Sequence, residues 1–356
     1  MRARLCCAVA ASALAAGGAA RADVTLNFFG DINYVVDHES HEAEAATTNS
    51  FQAATLDVFA TQTEGKFSFV GEMIAEALGT NSFEIDVDRL EVAYKPTSWL
   101  RFRAGRMRSA IGYYGDAYQN GKYFMTPVSW PAMYESDRAD GVLPSHSIGV
   151  HGDVAYGLGE NNGKITLDAE ILNGRGHGLD DVPVFEDHNN TKALNFRLRY
   201  VGDGALAGLI VGSNLYIDDI PAHAGEEDDE GPHPAMHELM IGGHVAYVTD
   251  NLHLVAELAW FRHREHGSDM TTQTVAAFGE VGYKVSEITP YVRFEYQHFD
   301  EEDPFFMASG LPYEDTQQLS GGAKYTASAS VAFKVEGAID FSQSISRVLA
   351  QAAFAF

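Results

Sequence analysis

Short segments in which apolar and polar residues alternate recur along this chain from about residue 24 onward. Between Leu194 and Tyr200, four apolar residues interleave with Asn, Arg and Arg, and the stretch Val292–Tyr296 has the same pattern. Because successive side chains of a β-strand point to opposite faces, such segments form strands with one apolar and one polar face. We count sixteen of them, which predicts an all-β protein.

The connections between these segments alternate in length. Short turns lie around residues 63–65, 95–97, 202–204, 249–251 and 285–286, and long connections span 37–50, 109–146, 174–190, 218–236, 263–271 and 300–315. Short turns at one end and long loops at the other are typical of bacterial outer-membrane barrels. The sequence therefore predicts a transmembrane antiparallel β-barrel over residues 23–356, with a periplasmic β-sandwich or β-helix as the soluble alternative.

Composition excludes two other classes of protein. The chain has 24 Lys+Arg against 50 Asp+Glu, a formal net charge of -26, which excludes binding to nucleic acid through a basic face. Its mean hydropathy of -0.16 excludes a bundle of membrane helices. A barrel with an apolar exterior and a polar lumen accounts for this polarity.

Residues 1–22 have the pattern of a secretory signal peptide. Arginines precede an alanine-rich apolar stretch, and Ala20-Arg21-Ala22 offers an A-x-A cleavage site. Both cysteines, Cys6 and Cys7, lie inside this segment. The mature chain is therefore expected to contain no disulfide and no thiolate metal site.

Two further features concern the membrane. The last residues alternate and end at Phe356, as in the C-terminal signal through which barrel-insertion machinery recognises outer-membrane proteins. Aromatic residues collect near segment ends, as expected at the interfaces with outer-membrane lipid and lipopolysaccharide. Between Val87 and Leu90 the apolar phase slips, which indicates either a β-bulge or a strand placed wrongly in our count.

The run Gly105-Arg106-Met107-Arg108-Ser109-Ala110-Ile111-Gly112-Tyr113-Tyr114 resembles the strand-to-loop segment of the phosphate-selective porin O/P-like superfamily. The run Leu143–Gly149 resembles the start of the next strand in those proteins. The resemblance implies a sixteen-stranded outer-membrane channel, commonly a homotrimer, whose third loop (residues 109–146) folds into the lumen and forms the constriction. It does not imply phosphate selectivity, because this loop contains only two basic residues among several acidic ones.

The residues predicted to line the pore or its constriction carry charges of both signs. They are Arg101, Arg103, Arg106, Arg108, Asp116, Lys122, Asp137, Arg138, Asp140, Arg197, Arg199, Arg293 and Glu295. Rings of one sign would make a channel selective for anions or cations, whereas a mixed lining favours passive diffusion of ions and small hydrophilic solutes. The basic strip Arg101–Arg108 has two interpretations: it lines the constriction, or it forms ion pairs with acidic residues of the wall.

Histidines occur together with acidic residues in the predicted long loops. Imidazole and carboxylate groups suit zinc and copper, so an alternative function is capture of divalent metal by His38, His41, His223, His233 and His237. Solvated loops, or Ca²⁺ and Mg²⁺ bound at the lipopolysaccharide surface, would explain the same composition.

Other functional classes have less support. The chain contains neither an HExxH nor a G-x-S-x-G motif, so we predict no enzymatic activity and no cofactor, with an outer-membrane enzyme or an adhesin as minor alternatives. A TonB-dependent transporter needs a plug domain and more strands than this chain can supply.

Overall fold

A computed structural model describes residues 24–39, 46–78, 82–118, 121, 123–134, 141–176, 189–223, 232–307 and 313–356. Its strands are β1 (Thr25–Glu39), β2 (Ala46–Glu64), β3 (Phe67–Leu78), β4 (Ser82–Thr97), β5 (Leu100–Arg108), β6 (His146–Gly157), β7 (Lys164–Leu172), β8 (Ala193–Val201), β9 (Leu209–Ile220), β10 (Met236–Val248), β11 (Leu252–Glu265), β12 (Thr271–Tyr283), β13 (Ile288–His298), β14 (Thr316–Thr326), β15 (Val331–Asp340) and β16 (Ile345–Ala355). One short helix, α1 (Tyr114–Tyr118), and two 3-10 turns, Ala132–Tyr134 and Gly204–Leu206, complete the described elements. The predicted signal peptide, residues 1–22, lies outside the described residues.

The sixteen strands form one closed antiparallel barrel. Each strand pairs with its neighbours in the sequence, and β1 closes the ring by pairing with β16, with Phe29 opposite Ala355. Closure pairs the backbone groups of every strand on both sides, which is what a β-structure in hydrocarbon requires. The predicted fold and strand number are confirmed.

The two faces of the wall have opposite chemistry. On β7, Leu167 and Ile171 are 49% and 51% exposed, whereas Asp168 and Glu170 are 3% and 1% exposed. A soluble sandwich would bury its apolar face, so this inverted arrangement excludes the soluble alternative. The exposed apolar side chains form the outer surface that faces lipid.

The phase slip predicted in the fourth strand is a β-bulge. Glu72 of β3 pairs with Arg89, and Ile74 pairs with Asp86, so β4 has one residue more than β3 in this interval. As a result the consecutive residues Asp88 and Arg89 are both buried, which strict alternation would not allow.

The strand bounds place the long connections that the sequence predicts at one end of the barrel, but that end also has short ones, such as 79–81 and 341–344, so the alternation in length is less strict than predicted. At one end lie the connections 65–66, 98–99, 158–163, 202–208, 249–251, 284–287 and 327–330; at the other lie 40–45, 79–81, 109–145, 173–192, 221–235, 266–270, 299–315 and 341–344. The predicted loop 37–50 is much shorter in the structure because β1 and β2 extend into it. Within the part of the chain that the structure describes, no helix is both long and apolar enough to cross a membrane.

Candidate channel lining

The longest connection, residues 109–145 between β5 and β6, supplies much of the buried apolar core of the molecule. Its buried residues include Ile111, Tyr114, Met125, Met133, Tyr134 and Val142, and they cluster with wall residues such as Phe278 of β12. The ring of Tyr114 meets that of Phe278 edge-on, with centroids 5.4 Å apart. The wall itself is a single layer, so this segment provides the second layer against which a core can form.

Four buried glutamates of the wall bind the backbone of this segment. They are Glu170 on β7, Glu257 on β11, Glu295 on β13 and Glu336 on β15, which we call the glutamate clamp. Their carboxylates accept hydrogen bonds from the backbone N–H groups of Ala110, Tyr114, Ala132 and Val128, at 2.9, 2.6, 2.6 and 2.8 Å respectively. An irregular segment has backbone donors without a strand partner, and buried carboxylates satisfy them.

Basic side chains of the wall bind the carbonyl groups of the same segment. Arg197 Nη1 donates to the carbonyl of Gly112 at 3.1 Å, and Lys334 Nζ donates to that of Pro127 at 2.9 Å. Arg293 donates to the carbonyls of Ser129 and Trp130, at 2.9 and 3.2 Å. Wall charges of both signs therefore hold the segment in place.

Several residues predicted to line the pore lie beneath this segment. Arg293 is fully buried and forms an ion pair of 2.7 Å with Glu295, itself 1% exposed. Arg197 is also buried, between Asp168 at 3.1 Å and Asp116 of α1 at 2.6 Å. Arg293 and Arg197 therefore bind residues 109–145.

Two predicted residues in this region do reach solvent. The side chains of Arg199 and Asp116 are 21% and 32% exposed, and their charged groups lie 3.2 Å apart. Both side chains are more exposed than that of Arg197, whose side chain is 3% exposed.

The basic strip on β5 consists of ion-paired arginines. The pairs are Arg101–Asp153 at 2.7 Å, Arg103–Glu91 at 3.3 Å, Arg106–Asp86 at 2.8 Å and Arg108–Asp88 at 3.0 Å. The ion pairs of the second interpretation are therefore present, and the lining of the constriction by this strip stays a prediction. Arg101 keeps a side chain 44% exposed, more than the other three.

Five of the predicted site residues lie outside the described residues, and their roles stay predictions. They are Lys122, Asp137, Arg138, Asp140 and His41. Of the remaining predicted metal ligands, His38 faces the hydroxyl of Thr47, with 2.9 Å between Nδ1 and Oγ1. His223 and His233 pair through their backbones with ring centroids 6.0 Å apart, while His237 meets Asp219 and His266.

A second buried network was not predicted from the sequence. His263 of β11 bridges two carboxylates, with Nδ1 2.8 Å from Asp303 and Nε2 2.9 Å from Glu238, and Glu238 also binds Arg175 at 3.0 Å. Asp303 and Arg175 belong to the connections after β13 and β7, so the network fastens two long connections to the wall. The sequence does show histidines and acidic residues together in the predicted loops. It does not show which of them form pairs, because that depends on which strands are neighbours.

The pKa of Asp303 gives this network an expected pH dependence. Burial opposes ionisation, but the hydrogen bond and the charge of His263 prevail and hold the pKa of Asp303 below its ordinary value of 3.8. A lowered pKa in the folded state stabilises the fold above the unfolded-state pKa, and this contribution is lost as pH falls through the folded value. We expect residues 299–307 to become sensitive to an acid-active protease below about pH 4, and Asp303→Asn to cause the same sensitivity at pH 7.

The matched control is Asp300→Asn in the same connection, because Asp300 is less buried than Asp303 and its carboxylate accepts hydrogen bonds from the backbone N–H groups of Glu302, at 3.1 Å, and Gln273, at 3.4 Å, and not from His263. If both variants are cleaved at the wild-type rate at pH 7, Asp303 does not fasten this segment.

Comparison with known proteins agrees with the barrel geometry. A family model described as Gram-negative porin matches residues 8–341. The chain belongs to the Gram-negative porin family. No curated protein matches it in sequence. This porin is an outer-membrane channel for passive diffusion, and its predicted outer-membrane location is confirmed.

Solved structures similar to this porin share its fold at low sequence identity. OmpT of Vibrio cholerae is 12% identical with a TM-score of 0.59, over 95% of this chain and 99% of that one. OmpF of Salmonella typhi, in complex with daunomycin, is 12% identical with a TM-score of 0.61, over 94% and 98%. A porin refined at 1.8 Å resolution is 11% identical with a TM-score of 0.51, over 94% and 100%. None of these matches points to metal uptake.

Proposed function

We propose that this porin is a weakly selective channel for ions and small hydrophilic solutes, without catalytic chemistry, and that residues 109–145 form its constriction. The observation that carries the proposal is the pairing of wall charges in the described part of the chain. Arginines on β5, β8 and β13 have carboxylate partners, so no ring of a single sign is formed by them. A lining with balanced charges exerts little net preference for cations or anions.

Contacts on opposite sides of the barrel support the constriction. At one end the segment bonds to Arg197 on β8, and farther along the ring of Phe124 lies 5.8 Å from that of Phe29 on β1. Strands β8 and β1 are on nearly opposite sides of the sixteen-stranded ring. These contacts support a segment that crosses the interior and narrows the path for solutes.

Membership of a narrower superfamily and the oligomeric state of the porin are also proposals. Membership of the phosphate-selective porin O/P-like superfamily rests on the resemblance of residues 105–114 and 143–149, and the matching family model is described more broadly. The same resemblance supports a homotrimer in the outer membrane. Chemical cross-linking of the porin in intact outer membranes should then yield dimers and trimers and nothing larger.

The first test is a recording in a planar bilayer under a KCl gradient. We expect stepwise conductance with a reversal potential near zero. Asp116→Asn should shift the reversal potential toward that of an anion channel, because it removes a partly exposed carboxylate and leaves Arg199 without this partner at 3.2 Å. Thr166→Val, next to Arg199 on the wall, is the control and should leave the potential unchanged. Strong selectivity in the unmodified porin would contradict the proposal.

A further inference from the structure

Three side chains with metal-binding atoms converge at the long-loop end of the barrel. His266 Nε2 lies 3.3 Å from His237 Nδ1 and 3.5 Å from Asp219 Oδ1. His237 Nδ1 also contacts Asp219 Oδ1, and the two imidazole rings are 4.0 Å apart between centroids. Two imidazole nitrogens and a carboxylate oxygen therefore point toward one place.

The fold itself brings the three together. Asp219 on β9 and His237 on β10 are directly opposite each other in the strand register. His266 follows the last residue of β11, and its backbone N–H donates to the carbonyl of Ala235 at 2.9 Å, next to the start of β10. Asn189 Nδ2 donates to the backbone carbonyl of Asp219 at 2.6 Å. The ligand atoms thus come from three elements whose backbones are mutually fixed.

The distances suit a tetrahedral ion. With metal–ligand bonds of about 2.0–2.1 Å, the ligands of a tetrahedral zinc ion lie roughly 3.3–3.4 Å apart. Two of the three observed separations, 3.3 and 3.5 Å, are close to this value. We propose that Asp219, His237 and His266 bind one Zn²⁺ ion, with the fourth position left to water. Imidazole ligands favour zinc over Ca²⁺ and Mg²⁺, which prefer sites made only of oxygen atoms.

The site lies on the outer face of the barrel. His237 is the neighbour of buried Glu238 on β10, and Asp219 is the neighbour of buried Asp218 on β9, so both ligands point away from the polar interior. Two residues nearer the membrane on β9, Ile217 is 43% exposed on this outer face. The ion therefore sits at the outer rim of the wall, where it links β9, β10 and the β11–β12 connection, and it is not on the path of solutes.

The positive charge of Arg264 provides an electrostatic test of the proposed site. It is opposite His237 in the pairing of β10 with β11, it is exposed, and paired residues share a face. A cation at this position opposes the binding of Zn²⁺ because like charges repel. Arg264→Gln should therefore tighten zinc binding.

The experiment is a Zn²⁺ titration of the refolded porin in detergent, followed by competition with a chromophoric chelator, with Co²⁺ absorption to report tetrahedral geometry. We expect one zinc site, whose affinity for zinc falls at least about tenfold in His237→Ala and in His266→Ala. Substitutions of residues that only support metal ligands already reduce metal affinity by about tenfold or more. His298→Ala is the matched control and should bind zinc like the wild type. His298 is a similarly exposed histidine paired with Asp315 at 2.8 Å.

Two results would overturn the site: no zinc bound by the wild type, or equal affinity in the wild type and both ligand variants. Conductance separates the site from the channel, because current should be unchanged by zinc if the ion sits on the outer rim. A zinc block that is lost in His237→Ala would mean that an ion bound by these ligands acts on the lumen, and the outer-rim position would be wrong. Conductance measured without zinc should be the same whichever of these outcomes is found.

Discussion

Replacing Arg293 by methionine is expected to destabilise the folded porin by about 3–5 kcal/mol, the range for removing one partner of a buried ion pair. Arg293 is fully buried and lies 2.7 Å from Glu295 and 3.7 Å from Glu280. Methionine fills a similar volume, so the loss comes from the guanidinium group. Without it, buried carboxylates lose their cation and the carbonyls of Ser129 and Trp130 lose a donor.

The measurement is urea unfolding of the porin in detergent, with Arg101→Met as the matched control. Arg101 also forms an ion pair, at 2.7 Å from Asp153, but its side chain is 44% exposed. An exposed pair contributes about 0–1 kcal/mol because water and salt screen it. Equal destabilisation by the two substitutions would mean that the Arg293 network does not hold the wall and residues 109–145 together.

The barrel could be predicted from the sequence because lipid imposes one rule on every strand. An outward residue such as Phe294 has to be apolar whatever its neighbours are, so the alternation is visible without knowledge of strand pairing. The irregularity in β4 was visible for the same reason, since an extra residue shifts the alternation of apolar and polar residues by one position. Buried Asp88 and Arg89 are its consequence.

The role of the wall charges could not be predicted in the same way. Alternation assigns Glu257 and Arg293 to the inner face, but it does not say what lies against them. Glu257 binds Tyr113, a residue 144 positions away in the sequence, and no periodic signal reports such a contact. The ion-paired state of Arg101–Arg108 was likewise one of two interpretations, because the acidic partners lie on other strands, as Asp153 on β6 does. The proximity of His266 and Asp219 to His237 was not predicted because it depends on strand register.

Replacing Glu257 by alanine is expected to loosen the proposed constriction, with higher and noisier single-channel conductance and faster uptake of larger sugars by liposomes. Glu257 accepts hydrogen bonds from the backbone of Tyr113 at 3.2 Å and of Tyr114 at 2.6 Å, and from the hydroxyl of Tyr134 at 2.7 Å. Each buried donor left without a partner costs about 1–3 kcal/mol, so losing three of them favours release of this part of the segment from the wall.

A substitution at Gly112 disturbs the same contact with Glu257 from within residues 109–145. Gly112 has φ +64°, a conformation that favours glycine, and a Cβ atom at this position would collide with the Glu257 carboxylate and the Tyr134 hydroxyl. Gly112→Ala should therefore raise conductance without changing the wall. Glu91→Ala is the control, since Glu91 is a buried wall glutamate whose partner is Arg103 on the neighbouring strand, at 3.3 Å. If Glu257→Ala and Gly112→Ala keep the wild-type conductance and sugar cutoff, residues 109–145 do not set the width of the channel. If Glu91→Ala raises conductance equally, the wall and not the glutamate clamp controls it.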